Sequence, residues 1–379
     1  VNLFMAEKAF KFRLYPNKKQ EEQLAKTFGC IRFVYNYYLN KRIELYKTEQ
    51  KSMNYNACSA DLTNLKKEKE WLKEIDKFAL QNSLKDLDKA YQNFFREVKK
   101  GNKEQGFPKF KSKHNNKHSY RTTFTNNNIE IKDNKIKLPK LGLVKFAKSR
   151  DIQGRILNCT ITKMCSGKYF ISICCTDVEI EKYDDNKNII GIDLGIKDFA
   201  ICSNGETIAN PKYLSKLEKK LKREQRKLSK KKKGSKNRNK QRVKLNIVHE
   251  KIANQRNDFL HKTSTKLIRE NQIICFEDLN VKGMVKNHKL AKAISDVSWS
   301  EFVRQNNYKA LWHDRIIQKI DSFFPSSQLC SVCGYKNIEV KDLSIREWKC
   351  PECNTIHNRD INAAINIKNE GMRLLGLVA

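Results

Sequence analysis

Two Cys-x-x-Cys pairs near the C-terminal end of this 379-residue chain constrain its fold more than any other feature. Cys330 and Cys333 form the first pair and Cys350 and Cys353 form the second, with sixteen residues between the pairs. Four thiolates at this spacing suit one tetrahedral zinc ion. One alternative is that the two Cys-x-x-Cys pairs occur by chance. The other is that they form two disulfides, which are typical of secreted chains. The quartet predicts a structural zinc ribbon, which by itself indicates no function.

The charge of the chain predicts its partners. Lys and Arg total 77 against 42 Asp and Glu, a formal net charge of +35. Such an excess repels itself unless a polyanion shares the charge, so we expect nucleic acid to bind. The alternative is a basic surface that is only solvated. The length allows two or three domains with cores of their own.

The apolar segments indicate a cytoplasmic protein with no membrane contact. No apolar stretch approaches the ~20 residues that span a bilayer. The first residues meet Glu7 and Lys8 too early for the apolar core of a signal peptide. The eight cysteines outside the quartet stand mostly singly within apolar runs, as small buried residues do in a reducing compartment.

The first hundred residues are predicted to be largely helical. Residues 10–15 alternate apolar and basic residues and end at Pro16, so they predict a short strand. Apolar residues recur at helical spacing over 18–47 and again over 57–100. On the second segment a leucine stripe predicts a buried face. Three polar residues would line the opposite side: Lys77, Gln81 and Lys85.

A basic loop and a run of short strands follow. Over 106–121 basic residues alternate with aromatic ones, a composition that suits a nucleic-acid backbone and base stacking, although aromatic anchors of an ordinary loop would look the same. The basic residues that we single out are Lys109, Lys111 and Arg121. Alternating runs over 129–176 predict an antiparallel sheet or small barrel that the N-terminal strand joins.

Residues 213–271 predict a helical hairpin with a lysine-rich tip at Lys230–Lys233. A charge run is usually a solvated face. A cationic tip on an inserted hairpin would also fit a lid over an anionic substrate.

Three acids stand at the ends of apolar elements. Asp193 lies in the apolar strand predicted over 189–195, and a second strand over 273–276 ends at Glu277 and Asp278. Asp360 begins a helix just beyond the cysteine quartet, and we expect Ile361, Ala364 and Ile365 of that helix to pack inward. Burying an unpaired carboxylate is costly, so these acids are expected to be paired, bound to metal or at exposed strand ends.

Acids on two strands and one helix can converge on a pair of Mg²⁺ ions, which activate water and stabilise the leaving oxygen in phosphodiester hydrolysis. Glu277 and Asp278 face opposite ways on a strand, and periodicity does not choose between them.

Three runs resemble the RuvC-type motifs of the TnpB family. TnpB proteins are RNA-guided nucleases of bacterial insertion sequences, related to type V CRISPR effectors. The runs are Gly191-Ile192-Asp193-Leu194-Gly195, Phe276-Glu277-Asp278-Leu279-Asn280 and Arg359-Asp360-Ile361-Asn362-Ala363-Ala364. Runs at 12–16, 106–111, 280–284 and 287–292 and the Pro325-Ser326-Ser327 segment also match, so the resemblance covers nearly the whole chain.

The resemblance implies a DNA endonuclease that carries a guide RNA encoded beside its own gene. Asp193, Glu277 and Asp360 would be the catalytic acids, with Glu277 preferred over Asp278, and would hold catalytic Mg²⁺, while zinc would be structural. The RNA would pair with double-stranded target DNA, and the protein would read a short adjacent motif with the helix that carries Lys77, Gln81 and Lys85. One chain per RNA is expected.

The resemblance also implies an α/β multidomain fold. Residues 1–16 and 120–186 would form a wedge-like β-barrel and 17–119 a helical recognition lobe. Residues 187–325 and 358–379 would form an RNase H-like (RuvC) nuclease domain that includes the 213–271 hairpin, and 326–357 the inserted zinc ribbon. At position 358 this chain has Asn, whereas the family often has Asp. The resemblance therefore leaves open whether residue 358 makes the family's contact beside Asp360.

Three other functions fit parts of the pattern. A miniature type V CRISPR effector would differ only in genomic context. A guide-directed repressor would bind without cutting, but such relatives have lost the three acids. A protein-only transposase or recombinase would use the same chemistry, with the 18–47 helix as a DNA-reading helix.

Overall fold

The computed structural model describes residues 3–101, 106–114, 118–342 and 344–377. The chain divides into two compact units, Met5–Glu179 and the segment from Ile180 onward. None of the described helices is both long and apolar enough to cross a membrane.

The helices of the first unit form one layer with its own core. They are α1 (Lys18–Glu49), α2 (Tyr55–Glu68) and α3 (Lys77–Lys99), with a 3₁₀ turn at Glu70–Glu74. Asn17 and Gln20 form a capping box that begins α1 directly after Pro16. The helical segment predicted over 57–100 is divided into three pieces in the structure. The last piece begins where the side chain of Asp76 caps α3. Leu80, Leu84 and Leu87 of α3 are buried, as the leucine stripe predicted.

The strands of the first unit form a seven-stranded sheet in the order β2-β6-β7-β1-β5-β4-β3. They are β1 (Leu3–Tyr15), β2 (His118–Thr123), β3 (Glu130–Lys132), β4 (Lys135–Leu138), β5 (Gly142–Phe146), β6 (Arg155–Lys163) and β7 (Tyr169–Glu181). The N-terminal strand joins this sheet, with Leu14 antiparallel to Phe146 of β5. The prediction of a sheet that includes the N-terminal strand is confirmed, and closure into a barrel stays a prediction.

The second unit is built on a mixed five-stranded sheet in the order β10-β9-β8-β11-β12. Its strands are β8 (Ile189–Leu194), β9 (Asp198–Cys202), β10 (Thr207–Ala209), β11 (Ile273–Glu277) and β12 (Ile316–Ile320). β11 lies parallel to both β8 and β12, whereas β9 is antiparallel to β8. A short two-stranded sheet follows, β13 (Glu347–Lys349) with β14 (Ile356–Asn358).

Helices flank the five-stranded sheet. They are α4 (Tyr213–Ser229), α5 (Lys236–Glu270), α6 (Val281–Met284), α7 (Ala291–Val297), α8 (Trp299–His313) and α9 (Arg359–Leu374). α4 and α5 form the predicted hairpin, joined by Leu221, Leu245, Val248 and Ile252. α9 buries Asn362, Ala363, Ala364, Asn366 and Ile367, while Ile361 and Ile365 stay partly exposed. The prediction that Ala364 packs inward is confirmed. Ile361 and Ile365 are only partly buried, because Asn362 and Asn366 occupy the buried face and bond the preceding segment.

Candidate active site and metal centre

Asp193 lies on β8, the central strand of the five-stranded sheet. Phe276 of β11 is paired in parallel with Ile192 of β8. The next residue on each strand is therefore Glu277 beside Asp193, at the carboxyl end where parallel strands finish together. The sheet register brings the first two predicted acids together.

Close packing of α9 on the sheet brings in the third acid. A Cβ at Gly191 would collide with the carbonyl of Ala364 in α9, and one at Gly371 would collide with the Cys275 sulfur of β11. The two glycines therefore let the helix backbone and the sheet approach more closely than any larger residue allows. Asp360, the second residue of α9, reaches the same edge of the sheet.

The electrostatics of Asp193 show that Glu277 and Asp360 lie close enough to act on it. Burial raises the pKa of Asp193 to about 7, and the charges of Glu277 and Asp360 contribute to the rise, against a smaller opposing effect of Arg359. Asp193 keeps part of its surface exposed, so it can meet a ligand from solvent. A buried carboxylate whose pKa is raised by neighbouring acids marks a place at which a cation would be favoured.

Glu277 and Asp278 have different surroundings. The hydroxyl of Ser326 donates a hydrogen bond of 2.5 Å to Glu277 Oε1. Burial raises the pKa of Glu277, and this hydrogen bond opposes the rise. Asp278 instead accepts a 2.7 Å bond from Lys319 and is 62% exposed. Glu277 lies close enough for its charge to contribute to the raised pKa of Asp193. Glu277 is therefore the member of the pair that faces the candidate site.

Asp360 is held at the first turn of α9. The side chain of Asn358 caps the helix by accepting from the backbone amides of Asp360 (3.1 Å) and Ile361 (3.2 Å). Asn serves this role as well as Asp, so the departure at Asn358 keeps the helix start intact. Arg346 Nη1 lies 3.4 Å from Asp360 Oδ2.

The four cysteines converge, and their geometry excludes disulfides. Cys330 Sγ lies 3.5 Å from Cys353 Sγ, and Cys333 Sγ lies 3.6 Å from Cys350 Sγ. A disulfide bond would be about 2.05 Å long, whereas sulfurs ~2.3 Å from a central zinc stand a little under 4 Å apart. The quartet could therefore hold zinc.

The acids are spaced more widely than the sulfurs. Within the described residues, the cysteine quartet is the one group of three or more potential ligand atoms that all lie within 4.8 Å of one another. The oxygens of Asp193, Glu277 and Asp360 therefore do not meet around one point as the sulfurs do. Mutual repulsion of carboxylates favours this separation.

Polar residues that the sequence reasoning missed connect the quartet to the acids. Asn366 Nδ2 donates to the carbonyls of Ser326 (2.8 Å) and Leu329 (2.7 Å). Asn362 Nδ2 donates to Leu329 O (2.6 Å), and its Oδ1 accepts from the amide of Ser331 (3.0 Å). α9 thus holds the segment that runs from the Glu277 partner Ser326 into Cys330. Ser326 and Asn362 both lie inside the family-like runs, so the motifs contained the signal.

The predicted nucleic-acid residues of α3 share one face. Lys77 and Lys85 are exposed and Gln81 is partly exposed, at intervals of four residues, while Leu80 and Leu84 are buried. Lys85 Nζ lies 5.6 Å from the ring centroid of Tyr55. The three side chains are therefore available to a ligand.

Lys109, Lys111 and Arg121 are placed differently from one another. Lys109 is exposed. Lys111 Nζ lies 3.9 Å from the Tyr35 ring centroid, and burial lowers its pKa, so it is a packed anchor rather than a free cation. Arg121 lies 3.4 Å from Asp86 of α3, with 41% of its side chain exposed.

Comparison with known proteins places the chain in a family. A chain of Streptomyces pristinaespiralis described as "Putative RNA-guided DNA endonuclease" is 38% identical, over 97% of this chain and 90% of the relative. One of Escherichia coli K12, described as "Putative RNA-guided DNA endonuclease InsQ", is 33% identical, over 97% and 93%. The IS605 OrfB family model, "Probable transposase", matches residues 172–288. The chain belongs to the TnpB (IS605 OrfB) family. In this TnpB-family chain the family model spans Asp193 and Glu277, and a second model, "Cas12f1-like, TNB domain", matches residues 299–367 and spans the cysteines and Asp360.

Two further comparisons, one with a family model and one with a solved structure, also match this TnpB-family chain. A "Helix-turn-helix domain" model matches residues 5–51, where the structure has β1 and the unbroken helix α1. A solved Cas12f1–sgRNA–target DNA complex aligns over 96% of this chain and 99% of that chain, with 17% identity and a TM-score of 0.37.

Proposed function

We propose that this TnpB-family chain is an RNA-guided DNA endonuclease of an insertion sequence. It uses a guide RNA and a short target-adjacent motif to cut double-stranded DNA by metal-dependent hydrolysis. The observation that carries the proposal is the placement of Glu277 and Asp360 around Asp193, whose pKa is raised to about 7 by burial and, in addition, by the charges of those two acids. The names of the two full-length relatives support the same activity.

The donor chemistry of the acid site fits Mg²⁺. Asp193, Glu277 and Asp360 offer carboxylate oxygens, the ligands that Mg²⁺ prefers. Asp193, Glu277 and Asp360 would together hold the ions, and two ions are expected. Bound Mg²⁺ would supply Lewis-acid stabilisation of the phosphodiester and an activated water.

The chain's own residues prepare this site. Asp193 holds a proton for part of the time near neutral pH and must release it to become a ligand. Ser326 favours the ionised form of Glu277, and the Asn358 cap fixes the start of the helix that carries Asp360. Zinc at the cysteine quartet is proposed to be structural, because all four ligand positions are protein sulfurs.

The domain organisation is proposed as an RNase H-like nuclease domain (187–325 and 358–379, with the hairpin at 213–271), a zinc ribbon (326–357), a wedge-like barrel (1–16 and 120–186) and a recognition lobe (17–119). The five-stranded sheet with Asp193 on its central strand supports the nuclease assignment. We propose that Lys77, Gln81 and Lys85 read the short motif beside the target, with one chain per RNA.

Purification followed by sequencing of bound RNA tests the proposal. We expect one discrete RNA, and we expect the purified complex with Mg²⁺ to cut a plasmid library whose targets match that RNA and whose flanks are randomised. The cut members would return the adjacent motif. Cutting without any discrete RNA would support a protein-only recombinase, and RNA-dependent binding without cutting would support a repressor.

A further inference from the structure

An exposed aromatic surface lies where α3 runs into the following loop. We name the rings of Phe94, Phe95 and Phe107 the aromatic platform. The Phe94 ring centroid lies 5.2 Å from that of Phe95 and 5.4 Å from that of Phe107. Phe95 is 54% exposed and Phe107 is 43% exposed. Adjoining rings with this much exposed surface leave apolar faces in water unless a ligand covers them.

The underside of the platform is fixed by buried groups. Tyr91 is 7% exposed and contacts both Phe95 (6.2 Å) and Phe107 (5.4 Å). The Arg42 guanidinium lies 3.9 Å from the Tyr91 ring centroid on the inner side and is 3.3 Å from Asp88. The outer faces of the platform are therefore held in place before any ligand arrives.

The loop that carries Phe107 is also anchored at its far end. Asn36 of α1 accepts from the amide of Lys111 (2.8 Å) and donates to its carbonyl (2.9 Å). Between the two anchors Pro108 restricts the backbone. Lys109 and Phe110 project from this short span, and Phe110 is 56% exposed. The loop presents a cation and an aromatic ring beside the platform with little freedom to lose.

Charge decides which ligand fits. Lys99 and Lys100, four and five residues after Phe95 at the end of α3, and Lys109, two residues after Phe107, are exposed. A second copy of this chain would bring another +35 of formal charge to the same surface, so self-association here is disfavoured. Aromatic faces bordered by lysines suit unpaired bases with their phosphates.

We propose that the aromatic platform stacks against unpaired bases of the bound RNA while Lys99, Lys100 and Lys109 contact the neighbouring phosphates. The proposal rests on the proposed RNA-guided function. RNA is favoured over the target DNA strand because RNA presents unpaired bases in loops and bulges, whereas that strand is paired with the guide. The displaced DNA strand is also unpaired, and crosslinks to it would assign the platform to DNA. Phenylalanine has no donor or acceptor, so the contact is insensitive to base identity.

Ultraviolet crosslinking of the purified protein–RNA complex, followed by mass spectrometry, tests the contact. We expect RNA crosslinks at Phe95 and Phe107. In complexes reconstituted with labelled bound RNA, we expect Phe95→Ala to speed RNA dissociation about ten-fold, which is typical for the loss of one base stack. Phe95→Tyr keeps the wild-type rate, and Phe95→Leu behaves like Phe95→Ala because it retains apolar area without a π face. Tyr46→Ala, at an aromatic residue that is 58% exposed on α1, is the matched control with an unchanged rate.

Other results overturn the inference in distinguishable ways. Wild-type protein without bound RNA would refute the proposed function itself. Bound RNA with no platform crosslinks and no effect of Phe95→Ala would refute only the platform. A second crosslinking sample contains matched target DNA, and platform crosslinks to that DNA instead of RNA would overturn the assignment to RNA. A halved mass of Phe95→Ala in light scattering, with RNA dissociation unchanged, would show that a second copy covers the platform.

Discussion

Asp193 has to satisfy two opposing requirements. It lies on the central strand of an apolar sheet, where charge is costly, yet a metal ligand must be ionised. The neighbouring charges of Glu277 and Asp360 add to the cost. A divalent cation would relieve both penalties, so the stability of the second unit should report on the site without any cleavage measurement.

The pH dependence of stability should follow the raised pKa of Asp193. The native state keeps a proton on Asp193 up to about pH 7, whereas the unfolded chain loses it near pH 4, so stability falls as pH rises between these values. We expect metal-free protein to melt at a lower temperature at pH 8 than at pH 5.5 and Mg²⁺ to restore stability at pH 8. The loss is of the order of a few kcal/mol at most.

Asp193→Asn should remove the part of the pH-dependent change in melting temperature that Asp193 causes, and most of the stabilisation by Mg²⁺. Calorimetry measures both effects. Asp278→Asn is the matched control, because Asp278 bonds Lys319 on the outer side of the same strand end. An Asp193→Asn variant with the full wild-type response to both pH and Mg²⁺ would contradict the assignment.

Ser326 should influence activity on the acidic side of the pH–rate profile. Burial raises the pKa of Glu277 and the Ser326 hydrogen bond opposes that rise, so Ser326→Ala should raise the pKa of Glu277 further. Cleavage should fall more at pH 6.5 than at pH 8.5. The pH–rate profile checks this, with Ser327→Ala as the neighbouring control. A uniform loss at every pH would indicate a structural role only.

The sequence predicted the positions of individual acids better than their surroundings. Apolar runs that end in Asp193 and Glu277 were readable, because burying a carboxylate needs a reason. Periodicity could not choose between Glu277 and Asp278, since register with the neighbouring strand decides which one faces the site. The sequence assigned no role to Ser326, because its hydrogen-bond partner Glu277 lies 49 positions away in the chain.

The segment between the two cysteine pairs is joined to α9 by hydrogen bonds. The backbone amide of Arg359 donates to Arg346 O (2.8 Å), and its guanidinium donates to Asp342 O (2.8 Å). Asp342 and Arg346 lie between the two cysteine pairs, and Arg359 is the first residue of α9. Loss of zinc should therefore disturb the residue that precedes Asp360.

Cys330→Ser should reduce zinc content and lower the melting temperature of the second unit, because a structural site contributes its binding energy to folding. Metal analysis and calorimetry measure the two effects, and cleavage should fall together with stability. Cys165→Ser, outside the quartet, should leave zinc content unchanged. Full zinc content in the Cys330 variant would refute the predicted ligand set.

Periodicity located most elements but not their interruptions. The helices at 18–47 and 213–271 were predicted nearly to their ends, because apolar spacing repeats over many turns. The break before α3 depends on a single capping residue, Asp76, which the leucine stripe does not reveal. The buried face of α9 was predicted only in part, because besides Ala364 it includes Asn362 and Asn366, which bond the preceding segment.

The positive charge of the molecule is concentrated in the α4–α5 hairpin. Residues 213–270 contain 21 Lys and Arg against five Asp and Glu. One face of α4 lines an open cleft of about 380 Å³ with basic side chains alone: Lys219, Lys222, Arg223, Arg226, Lys227 and Lys230. Composition predicted a polyanion partner, and only the folded hairpin shows where the cations gather.

Replacing Lys230–Lys233 by glutamine should make the negative slope of log affinity against log salt shallower by about 1 to 3, since each lost phosphate contact removes about 0.7–0.9 from its magnitude. Nucleic-acid binding at several salt concentrations measures the slope. The charge-matched control replaces four exposed lysines of the first unit, Lys132, Lys135, Lys137 and Lys140. Equal slopes for the two variants would mean that net charge alone, not the tip, determines binding.

Cleavage and binding by the same complex test the three-acid site most directly. Wild-type complex, Asp193→Asn and Glu277→Gln are each loaded with the same guide RNA and given matched target DNA in Mg²⁺. We predict that both variants bind the target with wild-type affinity while cleavage falls by at least about three orders of magnitude, as expected when a metal ligand of the reaction is lost. Undiminished cutting of both strands by either variant would contradict the assignment.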